Sequence, residues 1–178
     1  MTYKLLGISG ALRAESTNTK LIHEAVRLFG DADLTMADLK IPLYDGDDEA
    51  ASGVPASAQT LAAQIAAADA ILISTPEYNG GIPGVLKNAL DWVSRMPENP
   101  WLDKPVAVMS AAAGVSGAPS AQSMLRVCMV PFRARIANGS PYLLGKSYSQ
   151  FDDNGQLGTE RYRDSLTALM QVLKADMS

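Results

Sequence analysis

The chain has almost no cysteine or histidine: one of each, Cys128 and His23, in 178 residues. A single cysteine excludes an intramolecular disulfide and fits a reducing, cytoplasmic setting. Set among Leu125, Val127, Met129 and Val130, Cys128 reads as a buried structural thiol and not as a nucleophile. A lone His23, with no second His or Cys at ligand spacing, excludes a His/Cys metal centre and leaves a surface or packing residue. Excess basic charge is also lacking. Fifteen Lys and Arg against nineteen Asp and Glu give a formal charge of −4, which argues against nucleic-acid or anionic-membrane partners. No apolar run reaches membrane-spanning length. Only Lys4 precedes the first short apolar run, and Arg13 and Glu15 follow it closely, unlike a signal peptide. What remains is an expected single cytoplasmic domain, 47% apolar and 19% charged, long enough for a sizeable core.

What is present alternates. Lys4–Ser9 reads as a buried strand, followed by Gly10–Thr19 and a helix with Leu21, Ile22, Ala25, Val26 and Phe29 on one side. Asp33–Leu39 reads as a second strand, and Gly46–Gly53 as an acidic connector. Ser57–Ala68 is helical by composition. A third strand, Ala70–Ser74, leads to a helix starting near Pro83, with Pro at its first position and an Asp91–Arg95 pair on its outer face. A fourth strand is expected at Val106–Ser110, a helix at Ser120–Met129, a fifth strand at Ala134–Ala137 and a last helix at Glu160–Lys174. Ser140–Gly158 reads as irregular, with a turn at Asp152–Gly155. Strands alternating with helices imply a parallel sheet covered on both faces.

Three loops stand out, each following a buried strand. Gly10–Thr19 packs Arg13, Ser16, Thr17, Asn18 and Thr19 just before a helix. Helix capping accounts for one such residue; the whole set also suits a phosphate at the positive end of the helix dipole. That loop has neither GxGxxG nor Gly-Lys-Ser/Thr, so the phosphate would belong to a mononucleotide. The turn Pro76–Glu77–Tyr78–Asn79–Gly80–Gly81 is either a plain connection or a place where a ligand approaches the main chain closely. Ala111–Pro119 is a third, small-residue loop. All three lie at the carboxyl edge of a parallel sheet, where open α/β sheets bind ligands.

The runs ISGALRAESTNT, PEYNGGIPGVLKNALDWVSR and FDDNGQL resemble the NADPH-dependent FMN reductase family of flavodoxin-like quinone, azo-dye and chromate reductases. The resemblance runs nearly end to end. It implies a flavodoxin-like three-layer α/β/α sandwich with a five-stranded parallel sheet, binding FMN and using NADPH or NADH as hydride donor. By that likeness Arg13, Ser16, Asn18 and Thr19, after Ser9 and with the N–H groups of Ala11 and Leu12, would cradle the phosphate. Pro76, Glu77, Tyr78, Asn79 and Gly80 would follow the isoalloxazine edge, with Ser110, Ala111 and Gly114 on its other side. No protein acid, base or nucleophile is implied, because flavin carries the chemistry in a ping-pong cycle ending on a quinone or similar acceptor. The likeness also implies a homodimer or homotetramer with Trp92 and Trp101 as contact candidates. An electron carrier of the same fold is the competing reading. Ala11 and Glu15 depart from the family pattern, which predicts weaker FMN retention.

Overall fold

The computed structural model describes residues 2–177. Six strands form one sheet: β1 (Tyr3–Ser9), β2 (Ala32–Met36), β3 (Ala70–Thr75), β4 (Pro105–Ala111), β5 (Arg135–Ile136) and β6 (Tyr142–Leu144). All pairings are parallel, in the order β2-β1-β3-β4-β5, the flavodoxin-like winding. β6 also pairs with β4, through Met109 to Tyr142 and Ala111 to Leu144. β5 pairs further down the same strand, at Pro105 and Val106. The sheet therefore has five positions, and the fifth is filled in two pieces.

That interruption corrects two expectations. The fifth strand is shorter than Ala134–Ala137, and a strand lies inside the segment expected to be irregular. Ala137-Asn138-Gly139-Ser140-Pro141 separates the pieces, and proline donates no ladder hydrogen bond.

The helices are α1 (Thr17–Phe29), α2 (Gly46–Ser52), α3 (Ala56–Ala67), α4 (Gly84–Val93), α5 (Pro119–Met129) and α6 (Glu160–Ala175). Strand side chains alternate between two cores. Leu6, Ile8, Ile71, Ile73, Val106 and Val108 meet α3, α4 and α5. Leu5, Leu72, Ala107 and Met109 meet α1 and α6. This is the three-layer sandwich expected of the sequence.

Several local expectations change. The acidic connector is helix α2, capped by Asp45 and carrying Asp47, Asp48 and Glu49 in its first turn. It buries no residue, so it has no apolar stripe for a sequence pattern to show, and its carboxylates suit the N-terminal dipole. Pro83 is the N-cap of α4, one place before the helix. Asp91 pairs with Lys87 at 2.6 Å, not with Arg95, which reaches Glu49 of α2 at 2.9 Å. Trp92 and Trp101 are 2% and 1% exposed; both belong to the molecule's own core and are not free to contact a second copy. Cys128 is half-buried, less enclosed than its apolar neighbours implied, and His23 lies exposed.

Asn88, which helical spacing sets on the same outer face as Asp91 and Arg95, is buried. Its amide donates to the carbonyls of Ile41 and Pro42 at 3.2 and 2.9 Å and accepts from the Tyr44 N–H at 2.8 Å. Trp92 Nε1 donates to the Pro42 carbonyl at 2.7 Å, and Tyr44 packs edge-on against the Trp92 ring. The loop after β2 is thereby fastened to α4. Asn88→Ala takes the side-chain partner from the buried Ile41 carbonyl and from the Tyr44 N–H, while Trp92 still holds the Pro42 carbonyl; it is expected to lower unfolding free energy by about 1–2 kcal/mol. Urea denaturation tests this; a loss below about 0.5 kcal/mol would show that the loop is held by other contacts.

Candidate functional site

The loops after β1, β3 and β4 meet at the carboxyl edge of the sheet, with the segment after β6 beside them. Parallel strands place their following loops on one edge, so the convergence follows from the strand order.

At the first loop, Ser16 caps α1 by accepting from the Asn18 N–H at 3.2 Å. Thr19 Oγ1 donates to Ser9 Oγ at 3.0 Å, and the Ala11 N–H reaches the same oxygen at 3.4 Å. Arg13 is exposed and donates one hydrogen bond, to the Glu15 carbonyl at 2.8 Å, leaving its other guanidinium donors available. Among the described residues the N–H groups of Leu12 and Arg13 make no backbone hydrogen bond. Glu15, the departure expected to disturb an anion here, is paired with Lys20 at 2.9 Å. The Lys20 hydrogen bond and charge hold its carboxyl below the usual value. The pair is therefore intact above the ordinary carboxylate range and lost as pH falls through the lowered value. The acid in the loop brings its own cation.

Asn18 has a different place from the one expected. It is 2% exposed, and its Oδ1 accepts from the Ser74 hydroxyl at 2.8 Å and the Ala111 N–H at 3.1 Å. Its Nδ2 donates to the Ala111 carbonyl at 3.0 Å. One buried amide thus joins the start of α1 to the ends of β3 and β4.

The second loop is a tight turn. Asn79 and Gly80 have φ of 52° and 78°, and Tyr78 and Gly81 exchange hydrogen bonds at 3.0 and 3.1 Å. Two positive φ values between paired residues define a type I′ turn, which Asn-Gly favours. The turn leaves Tyr78 57% exposed. The N–H groups of Asn79 and Gly80 make no backbone hydrogen bond among the described residues. Pro76 is buried beneath the turn. Glu77 turns aside: its carboxylate accepts from the Ala121 N–H at 3.1 Å, capping α5.

At the end of β4, where the third loop begins, Ser110 and Ala111 are buried. Ser110 Oγ donates to the Gly117 carbonyl at 2.5 Å and accepts from Gln122 Nε2 at 3.2 Å. Gly114 is exposed at the tip. Gly145, after β6, admits no Cβ because the Val115 carbonyl occupies that space. The N–H groups of Lys146 and Ser147 donate to the Gly114 and Ala112 carbonyls at 2.9 and 3.0 Å. Thr17 and Ser147 share a hydroxyl hydrogen bond of 2.9 Å.

The expected residues therefore divide in two. Leu12, Arg13, Tyr78, Asn79, Gly80 and Gly114 are exposed at the edge, with Ala11, Thr19 and Glu77 partly so. Ser9, Ser16, Asn18, Pro76, Ser110 and Ala111 are buried beneath them, and the polar side chains among these bond within the protein. Sequence reasoning missed Ser74, Gln122 and the whole Gly145–Ser147 segment. Only the terminal position of Ser74 on its strand signalled its use.

Strand order, layers and loops together define a flavodoxin-like domain. Comparison narrows it: the sequence profile of the NADPH-dependent FMN reductase family matches residues 3–148. An NAD(P)H-dependent FMN reductase of Pseudomonas aeruginosa is 39% identical over 173 residues, covering 96% of this chain and 93% of that protein. A 2-hydroxy-1,4-benzoquinone reductase of Burkholderia is 36% identical over 178 residues, covering 98% and 96%. The solved structure of FerB, a flavoenzyme NAD(P)H:(acceptor) oxidoreductase from Paracoccus denitrificans, superposes with a TM-score of 0.85. It is 27% identical, with 98% of each chain covered. The chain belongs to the NADPH-dependent FMN reductase family, and it is an oxidoreductase.

Asn18→Ala would leave the Ser74 hydroxyl and both Ala111 backbone groups unpaired in the interior. A loss of about 2–4 kcal/mol in unfolding free energy is expected, measured by urea denaturation. A variant as stable as the parent would show that the helix start and the two strand ends hold together without the amide.

Proposed function

We propose that the protein is an FMN-dependent NAD(P)H oxidoreductase that reduces quinones or similar small acceptors. The observation carrying this reading is the open edge itself. The unspent anion donors of the first loop lie on the same rim as the exposed Tyr78–Asn79–Gly80 turn. The residues fit the cofactor chemically: the Arg13 guanidinium and the N–H group of Leu12 are free to meet its phosphate, and Thr19, Ser9 and the Ala11 N–H, joined to one another, shape the loop behind them. Ser16 and Asn18 act beneath them by fixing the start of α1. The N–H groups of Asn79 and Gly80 suit the polar edge of a flat ring, with Gly114 giving close approach on the opposite side. Ser110 and Ala111 shape that side from below, as Pro76 and Glu77 do under the turn.

Bound FMN supplies the redox chemistry, taking a hydride from NAD(P)H and passing two electrons to the acceptor. The protein's part is binding, orientation and an aromatic surface. Tyr78 is large, flat and more than half exposed, so it offers one stacking platform to nicotinamide and acceptor in turn. A shared platform favours a ping-pong order in which the oxidised nucleotide leaves before the quinone enters. No helix among the described residues is long and apolar enough to cross a membrane. We read the protein as a single domain acting in the cytoplasm.

We also read the protein as a homodimer or homotetramer. The tryptophans are unavailable, but α5 and the turn after it leave Met124, Val127 and Val130 exposed by 40%, 71% and 71%. Val127 and Val130 adjoin Cys128 and Pro131, which line a groove of about 530 Å³ with Leu90, Val93 and Phe132. Replacing Val127 and Val130 by Glu is expected to give monomers in sedimentation or light scattering. Unchanged assembly would move the interface elsewhere.

Visible absorbance of the purified protein tests the main reading. Adding FMN and then NADPH without oxygen should give bound-flavin bands that bleach rapidly. Bound flavin that stays oxidised with both nicotinamides would make this an electron carrier, and failure to bind FMN would overturn the reading.

A further inference from the structure

A second concavity, about 320 Å³, opens where the loops after β4 and β6 meet the start of α6. Val115 and Gly145, in the two packed loops described above, form its inner wall. Lys146 and Arg161 line it, with Gln150, Thr159 and Tyr162 completing the surface. No carboxylate is among the lining residues, although the chain carries nineteen. The acids next along α6, Glu160 and Asp164, lie outside it.

The two cations are kept unpaired. Among the described residues neither Lys146 nor Arg161 has an ion-pair or side-chain hydrogen-bond partner; Lys4, Lys40, Arg126 and Arg133 lack one too, and what sets these two apart is that they line one concavity together. The Arg161 guanidinium rests over the Tyr162 ring, 4.9 Å from its centre, which orients it without neutralising it. Gln150 Oε1 accepts from the Thr159 hydroxyl at 2.9 Å, so the amide nitrogen of Gln150 is left as a donor.

Lys146 holds a left-handed backbone, φ 49° and ψ 42°, a conformation in which lysine is strained and glycine or asparagine is not. Its N–H donates to the Gly114 carbonyl at 2.9 Å, and its carbonyl accepts from the Ser149 N–H at 3.0 Å. The concavity is thus tied to the tip of the loop expected to pass the flavin.

We propose that this concavity is a phosphate subsite for the nicotinamide nucleotide, taking the 2′-phosphate of NADPH. Two unpaired cations with a neutral amide donor match a phosphomonoester dianion. Its lining excludes the first loop and the Tyr78–Asn79–Gly80 turn, which suits the end of the nucleotide far from the reacting ring. The inference rests on the reductase reading above and gives that reading a nucleotide preference.

Lys146→Gly removes the charge while suiting the left-handed backbone, and Arg161→Gln removes the other; Lys146→Arg is the conservative control. With FMN-loaded protein, the kcat/KM ratio of NADPH to NADH should fall about tenfold or more for each loss variant. The change should sit mainly in the KM for NADPH, with partial recovery in Lys146→Arg. Calorimetry gives a second readout: adenosine 2′,5′-bisphosphate should bind the parent more tightly than adenosine 5′-phosphate, and the difference should shrink in both variants. An unchanged ratio, equal losses for both nucleotides, or a parent that prefers neither adenosine phosphate would overturn the subsite. Absence of turnover with either nucleotide would sink the reductase reading instead, while the calorimetry would still decide the subsite.

Discussion

The carboxyl edge of this protein depends on one buried primary amide. Asn18 accepts from Ser74 and Ala111 and donates to Ala111. It thereby fixes the start of α1 against the ends of two central strands. Loops seldom carry such precision themselves; here it comes from a side chain anchored in regular structure beneath them. Because every polar group of that junction is paired, the low-dielectric surroundings strengthen it.

The same economy recurs around the edge. Glu77 belongs to the turn that presents Tyr78, yet its carboxylate caps α5. Ser110 and Gln122 brace the third loop from below. Polar residues that look like ligands for a small molecule are largely used to hold backbone in place. The groups left exposed are main-chain N–H groups, one arginine and one aromatic ring. A flavin site needs little more, since the reactivity resides in the cofactor.

Most of the fold was legible because the strands are short, apolar and bounded by glycine or small polar residues, and α1, α4 and α6 carry clear apolar stripes. Helix α2 was not, because it buries no apolar residue and is held by capping, dipole effects and the bonds of Glu49 to Arg95 and Tyr44. β6 was hidden by Pro141 and by its three-residue length. The three site loops were legible from composition and position. Which of their residues are exposed was not: Asn18 and Arg13 are both polar, and only tertiary contacts turn one inward and leave the other out. Asn88 misled for the same reason, since helical spacing places it outward while the loop after β2 folds over and covers it.

The divided fifth strand position has a consequence for how the molecule behaves when crowded. An open parallel sheet ends in a row of unpaired backbone groups that invites another chain to add on. Here that border is broken into pieces of two and three residues, with glycine and proline between them. At the opposite border, β2 is five residues long and includes Asp33, with Asp31 just before it. Neither margin offers a long, flat, uncharged template, so the fold resists growing into fibrous assemblies by extension of its own sheet.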